Sequence, residues 1–394
     1  MNFKHRQALS FILFVFVFIF LIGLTPDIHA QSARDNGVLI AEFNEFIGTG
    51  IKEMDEGQYE EAIKSFHRAL VVVGDDDAEV YFAIGMAHDA LGQYNQAIEA
   101  FKKAIKLSPQ LSEAYVNLGL IYLKLNKSEE AIKTYFEGLT INPLDEKSYF
   151  GLGVAYQRLD RYADAVDAYS EAIIIRPSFS DAYNNLGIAL SHLGLYEEAI
   201  TSYKIAIKIR PDLAEAAHNN LGIAYQSLGR HEDALSSYLN AILLDPNYAK
   251  AYCNYGHAKH LTGAYEEAIT AYEQALRIDK NFADAHYGLG NAYGNLGEYS
   301  KATVAYLNSL ESNPDDARTY FNLGWSYGKL GKHKKEIEAY GKAISLEEDY
   351  AKAYLGRGLA YLKDGDKVSA HKEYEHLKKF DADLAQTLLQ LINE

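Results

Sequence analysis

A chain of 394 residues with 48% hydrophobic and 23% charged side chains has the composition of a folded protein and not of a disordered one. Its formal net charge is −16, and the Asp and Glu are scattered along the whole sequence, which excludes nucleic acid as a partner because that needs a basic stripe. The single cysteine, Cys253, rules out an intrachain disulfide and leaves the compartment open.

The chain begins with a basic cluster, Lys4, His5 and Arg6, followed by an apolar run from Phe11 to Leu24 and then Pro26. Ile28-His29-Ala30 is an acceptable small-residue cleavage site, so residues 1–30 read as a secretory signal peptide with the mature chain starting at Gln31. No cysteine lies near that site, which excludes a bacterial lipoprotein. The apolar run is shorter than the roughly 20 residues that span a bilayer. Extending it back to Ala8 leaves a second reading, an N-terminal membrane anchor with the rest of the chain outside the cytoplasm. The protein is therefore expected to be exported, periplasmic or secreted. Residues 31–42 are expected to be a linker.

From Phe43 onward the sequence repeats. In Ser180–Leu213, Tyr183, Leu186, Gly187 and Leu190 fall at i, i+3, i+4 and i+7 and mark one face of a helix. Gly194 suits a left-handed helix cap. Tyr196, Ala199, Ile200, Tyr203, Ala206 and Ile207 mark a second helix, which Pro211 stops. The glycine recurs at Gly50, Gly85, Gly119, Gly153, Gly187, Gly222, Gly256, Gly290, Gly324 and Gly358, always 34 or 35 residues apart. Alanine follows at Ala62, Ala97, Ala131, Ala165, Ala199, Ala234, Ala268, Ala302 and Ala370. An aromatic follows at Phe66, Phe101, Tyr135, Tyr169, Tyr203, Tyr238, Tyr272, Tyr306, Tyr340 and Tyr374. Small residues let two antiparallel helices approach, and the aromatic fills the wedge toward the next unit. One unit cannot bury its apolar face alone, so neighbours must stack.

These residues resemble the tetratricopeptide repeat family. Ten repeats fall at 43–77, 78–111, 112–145, 146–179, 180–213, 214–248, 249–282, 283–316, 317–350 and 351–384. The resemblance implies an all-α fold, a right-handed superhelical α-solenoid of helix-turn-helix repeats with a concave groove lined by the first helix of each. Asp75-Asp76-Asp77 closes the first repeat with an extra residue and reads as a turn and N-cap, because it lacks the ligand spacing of a calcium loop. Another extra residue lies within 211–222 and calls for a longer loop or a shifted helix start. In the ninth repeat Glu336 stands where alanine is expected, so its two helices should be set apart or rotated, with Glu336 reaching solvent. Asp381–Glu394 reads as a capping helix with Leu384, Leu388 and Leu391 on one face, residues 385–394 being its end.

Little points to chemistry. Gly151-Leu152-Gly153 and Gly288-Leu289-Gly290 are half of a dinucleotide fingerprint without a preceding strand, and packing explains them better. His257, His260 and His286 could approach one another as a zinc site, but scattered histidines produce such a set by chance. No zinc-protease, P-loop or nucleophile-elbow motif is present. The sequence gives no ground for an enzyme, a cofactor, a metal or a small-molecule substrate.

The position two before the repeat glycine holds Asn117, Asn185, Asn220, Asn254 and Asn322, with glycine at Gly48, Gly151, Gly288 and Gly356. An amide there could pair with the backbone of an extended peptide, whatever its side chains. This resembles the asparagine ladder in the superhelical repeats of O-linked N-acetylglucosamine transferases. One residue past the glycine, Leu120, Val154, Ile188 and Ile223 could seat apolar side chains. The alternative is that the asparagines brace neighbouring helices. Carboxylate-clamp repeats place lysine just before this asparagine, where Val116, Asn184, Asn219, Cys253 and Phe321 stand here, so capture of a C-terminal carboxylate does not fit. The expected function is a non-enzymatic protein–protein interaction scaffold for an extended peptide. The alternative is a regulatory or substrate-docking subunit of an extracytoplasmic enzyme or envelope assembly complex.

Overall fold

The computed structural model describes residues 26–393, with side chains from residue 37 onward. Most of the expected signal peptide therefore lies outside the described residues. Among those described, regular structure is entirely helical. The chain divides between Ala189 and Leu190 into two compact units.

In the first unit the helices pair as Pro26–Asp55 with Tyr59–Val73, Ala78–Ala90 with Tyr94–Leu107, Ser112–Lys124 with Ser128–Ile141, and Glu146–Arg158 with Tyr162–Ile175. In the second they pair as Glu215–Ser227 with His231–Leu244, Ala249–Leu261 with Tyr265–Ile278, Ala283–Asn295 with Tyr299–Ser312, Ala317–Lys329 with His333–Leu346, and Ala351–Lys363 with Lys367–Leu377. Within each unit, each second helix also packs against the first helix of the next pair.

Backbone chemistry sets the turns inside the pairs. Gly194 has φ +77°, the left-handed conformation that closes a helix at low cost. Asn126 and Asp160 take the same turn with positive φ, the side chains best able to tolerate it after glycine. Between repeats, Asp77 caps Ala78–Ala90: its Oδ1 accepts from the backbone N–H of Glu79 and of Val80, both at 2.9 Å. The extra residue near 211 is taken up by a short 3₁₀ turn, Pro211–Leu213, ahead of Glu215–Ser227.

The core is a series of aromatic wedges. A Cβ placed on Gly153 would lie 2.4 Å from the Tyr169 ring, and one on Gly119 2.6 Å from Tyr135. The same rings reach the next pair: a Cβ on Gly151 would lie 2.3 Å from Tyr135, and one on Gly288 2.4 Å from Tyr272. Phe66, Phe101, Tyr135, Tyr169, Tyr238, Tyr272, Tyr306 and Tyr340 are each clasped by the glycine of their own repeat, and Tyr135, Tyr272 and Tyr340 also by a glycine of the following one, at Gly151, Gly288 and Gly356. Burial raises the phenol pKa of all these tyrosines, that of Tyr203 to about 12.

Four expectations need correcting. Residues 31–42 are not a linker but part of the helix Pro26–Asp55, which runs without a break into the first repeat. Glu336 does not reach solvent: it is 3% exposed, bonded to His333 Nδ1 at 3.0 Å and to Lys363 Nζ of the next repeat at 3.1 Å. Gly328 makes the room for it, since a Cβ there would lie 2.4 Å from Glu336 Oε1. The capping helix Ala382–Asn393 buries Ala385, Leu388 and Ile392, while Leu391 is exposed. In the last repeat Tyr374 does not fill the wedge; Leu388 of the cap does, 2.6 Å from where a Cβ of Gly358 would be.

Tyrosine hydroxyls separate two kinds of wedge. The Tyr135 hydroxyl is buried without a partner, whereas that of Tyr169 donates to Gln157 Oε1 at 3.1 Å. Tyr135→Phe is expected to leave stability unchanged or raise it, and Tyr169→Phe to lower it by about 0.5–1.5 kcal/mol. Urea denaturation of both variants checks this, and equal losses would contradict it.

Candidate functional site

Residues at i, i+4, i+7 and i+11 share a helix face. In the second unit this register gives Asn220, Ile223 and Ser227; Asn254, His257 and Leu261; Gly288, Asn291 and Asn295; Asn322, Trp325 and Lys329. The first helices of successive repeats touch side by side, so these stripes adjoin. In the first unit the same register gives Asn117, Leu120 and Lys124, then Gly151, Val154 and Arg158.

The asparagines proposed from the sequence behave differently from one another. Asn117 turns back on its own helix, its Nδ2 donating to the carbonyl of Glu113 at 2.8 Å. Asn185 accepts from Asn184 Nδ2 at 3.3 Å; burial pushes the Tyr169 phenol well up, and a hydrogen bond from Asn185 moderates it. Asn220 is half-buried. Asn254 Nδ2 donates to Oδ1 of Asn219 in the preceding repeat at 2.8 Å, and Asn219 is wholly buried. Asn322 Nδ2 donates to the Tyr287 hydroxyl at 3.2 Å and to Asn291 Oδ1 at 3.0 Å, which also accepts from Tyr306 at 2.8 Å. Asn254 and Asn322 are therefore braces between repeats. Of the apolar neighbours, Leu120 is 44% and Ile223 37% exposed, while Val154 packs half-buried on the first unit's core and Ile188 is half-buried.

The sequence reading passed over polar partners on this same face. Gln226 Nε2 donates to His257 Nδ1 of the next repeat at 3.0 Å, and Asn295 Nδ2 donates to His260 Nε2 of the preceding repeat at 2.8 Å. Burial lowers the pKa of both imidazoles, and His257 lowers that of His260 further, so both are neutral at pH 7. His286 faces elsewhere, donating from Nε2 to the carbonyl of Lys280 at 3.0 Å. Among the described residues, no group of three His, Cys, Asp or Glu is placed to hold a metal ion. Cys253 is buried, and burial pushes its thiol up to about 12, which keeps it protonated and unreactive. Trp325 stands 38% exposed in the stripe position that Leu120 and Ile223 occupy elsewhere. Comparing that one column across the repeats would have found Trp325 and placed His257 on this face.

Family comparison agrees with the geometry. Tetratricopeptide repeat profiles match residues 112–144, 146–179, 178–242, 283–316 and 317–350, and a TPR repeat profile matches 87–126, 224–263 and 256–297. The chain belongs to the tetratricopeptide repeat family. Among solved structures it is similar to the MamA protein, at 28% identity over 44% of this chain and 94% of that one, with a TM-score of 0.40. It is also similar to YrrB, described as a TPR protein with an unusual peptide-binding site, at 24% identity over 48% and 96%, TM-score 0.41. A third is PilF of Pseudomonas aeruginosa, at 21% identity over 54% and 96%, TM-score 0.49. No curated protein matches the chain.

The braces predict an asymmetry. Asn254→Ala leaves the buried Asn219 amide without its partner and is expected to cost about 1–3 kcal/mol. Asn117→Ala removes only a bond within one helix and is expected to cost far less. Thermal unfolding of the two variants checks this; similar melting points would show that Asn254 does not brace.

Proposed function

We propose that this tetratricopeptide repeat protein is a non-enzymatic scaffold that holds an extended polypeptide segment along the first-helix faces of its repeats. The observation that carries the reading is the composition of those faces. Neutral hydrogen-bonding groups, Gln226 with His257, His260 with Asn295, and Asn322 with Asn291, are held in place by bonds between repeats. Exposed apolar side chains, Ile223 and Trp325, stand between them, as Leu120 does in the first unit. Groups fixed before binding lose little side-chain entropy when a peptide arrives. Amides and neutral imidazoles offer both donors and acceptors to a peptide backbone. The leader sequence supports export, with cleavage after Ala30.

Two experiments test this. A photo-cross-linking residue at Leu120 or Ile223 is expected to capture polypeptide in the native cell, and one at Ile174 or Leu243, exposed on second helices, is expected not to. Equal capture from both sets, or capture of nucleic acid or lipid alone, would refute the reading. N-terminal sequencing of the protein from that cell is expected to begin at Gln31. An intact N-terminus in the membrane fraction would replace cleavage by a retained anchor.

A further inference from the structure

The first helices Ala317–Lys329 and Ala351–Lys363 carry Arg318, Lys329, Lys352, Arg357 and Lys363 without a single Asp or Glu, in a chain of net charge −16. Four of these five share the stripe register. Arg318, Asn322, Trp325 and Lys329 fall at i, i+4, i+7 and i+11, and Lys352, Gly356, Leu359 and Lys363 follow the same spacing on the adjoining helix. Arg357 is spent on Glu373, at 2.9 Å. Lys363 holds Glu336, and Arg318 is exposed but paired with Asp316 at 3.2 Å. Among the described residues, Lys329 and Lys352 are exposed and have no carboxylate partner.

Trp325, the one tryptophan of the chain, stands among these charges. Its ring rests over Gly294 of the preceding repeat, where a Cβ would lie 3.5 Å from Cζ3. Tyr299 meets it edge-on at 5.4 Å and 81°, and the Lys329 ammonium lies 5.4 Å from the ring centroid. The ring is thus fixed by its neighbours and still part-exposed, which is the character of an interface anchor.

We infer that this patch seats an internal acidic segment of a partner polypeptide, with carboxylates against Lys329 and Lys352 and an apolar or aromatic side chain on Trp325. The inference rests on the scaffold reading above and adds the chemistry of the partner. Charge complementarity picks out the occupant: two uncompensated lysines on otherwise uncharged or cationic helix faces repel basic segments and attract acidic ones. Exposed ion pairs contribute little energy, so the lysines steer and select while the tryptophan supplies the anchoring contact.

The test uses the purified full chain and a tryptophan-free peptide, Asp-Glu-Asp-Leu-Asp-Phe-Glu-Asp, blocked at both ends. Two controls replace its acidic residues with lysine or with serine. Calorimetry measures affinity, and the emission of Trp325 reports the site. The acidic peptide is expected to bind, to change the Trp325 emission, and to weaken with added salt. Lys329→Gln with Lys352→Gln is expected to weaken it about tenfold, with the unfolding midpoint unchanged. Trp325→Ala is expected to weaken it at least as much. The inference is overturned if the lysine peptide binds as well, if the double variant binds like the wild type, or if an acidic oligonucleotide competes equally. It is also overturned if the wild type self-associates through the patch and the double variant does not. Binding of the serine peptide as tight as the acidic one would remove this inference and leave the scaffold reading standing, whereas failure of all three peptides would count against both.

Discussion

The packing of one aromatic ring against a bare helix backbone is the constraint on which the rest of this structure depends. Tyr135, Tyr169, Tyr272 and Tyr306 each lie where a Cβ on the repeat glycine would stand about 3 Å or less from the ring. Such a contact excludes every side chain larger than hydrogen, because real Cβ atoms do not approach so closely. A ring seated this deeply spans both helices of its own repeat and reaches the next repeat as well. It therefore sets the spacing inside a pair and the contact between pairs together. That is why the glycine and the aromatic recur in step, and why the alanine facing them is buried completely at Ala131, Ala165, Ala268 and Ala302.

The same constraint decides what the first-helix face can present. The position two before the repeat glycine meets the tip of the preceding ring. Where it is glycine, as at Gly151, Gly288 and Gly356, the ring fills the space itself. Where it is asparagine, the amide meets polar atoms instead: Asn185 reaches the Tyr169 hydroxyl, and Asn322 shares Asn291 with Tyr306. Packing and hydrogen bonding thus compete for one position, which holds Gly or Asn in every repeat but the second, where Ala83 stands. A residue that braces the stack is not thereby lost to binding, since a carbonyl oxygen has two lone pairs and an amide two protons. Bracing also holds the group still, which a binding face needs.

What was legible in the sequence is what the repeat dictates. Ala78, Ser112, Glu146, Ala249, Ala283, Ala317 and Ala351 begin their helices at the same offset from the repeat glycine, and Gly194 turns as its place in the period required. What escaped depends on partners from other repeats. The imidazoles of His257 and His260 looked like scattered residues or metal ligands, yet their bonds run to Gln226 and Asn295, which a reading within one repeat does not bring near. The linker was misread because Ser32, Asn36 and Gly37 lack an apolar period, while helix Pro26–Asp55 extends from a well-packed repeat and needs no period of its own there. At the other end Leu391 satisfied a leucine spacing, but the cap inserts Leu388 into the last glycine wedge, and that rotation buries Ile392 instead.

Glu336 shows how one departure from the period is absorbed by others. A carboxylate in the alanine position cannot sit between close helices without volume and a counter-charge. Gly328 yields the volume on the facing helix, and His333 and Lys363 approach the two carboxylate oxygens from its own helix and from the next repeat. Four residues on three successive helices, Gly328, His333, Glu336 and Lys363, therefore belong to one solution, although none is interpretable singly. A buried pair of this kind adds little net stability over an apolar core, because desolvation consumes most of the attraction. Its effect is geometric: the bond to Lys363 ties the ninth repeat to the tenth through directional contacts as well as through an apolar wedge. It also uses up one ammonium of the cationic face that carries Trp325, so that Lys329 and Lys352 are left as that face's uncompensated charges.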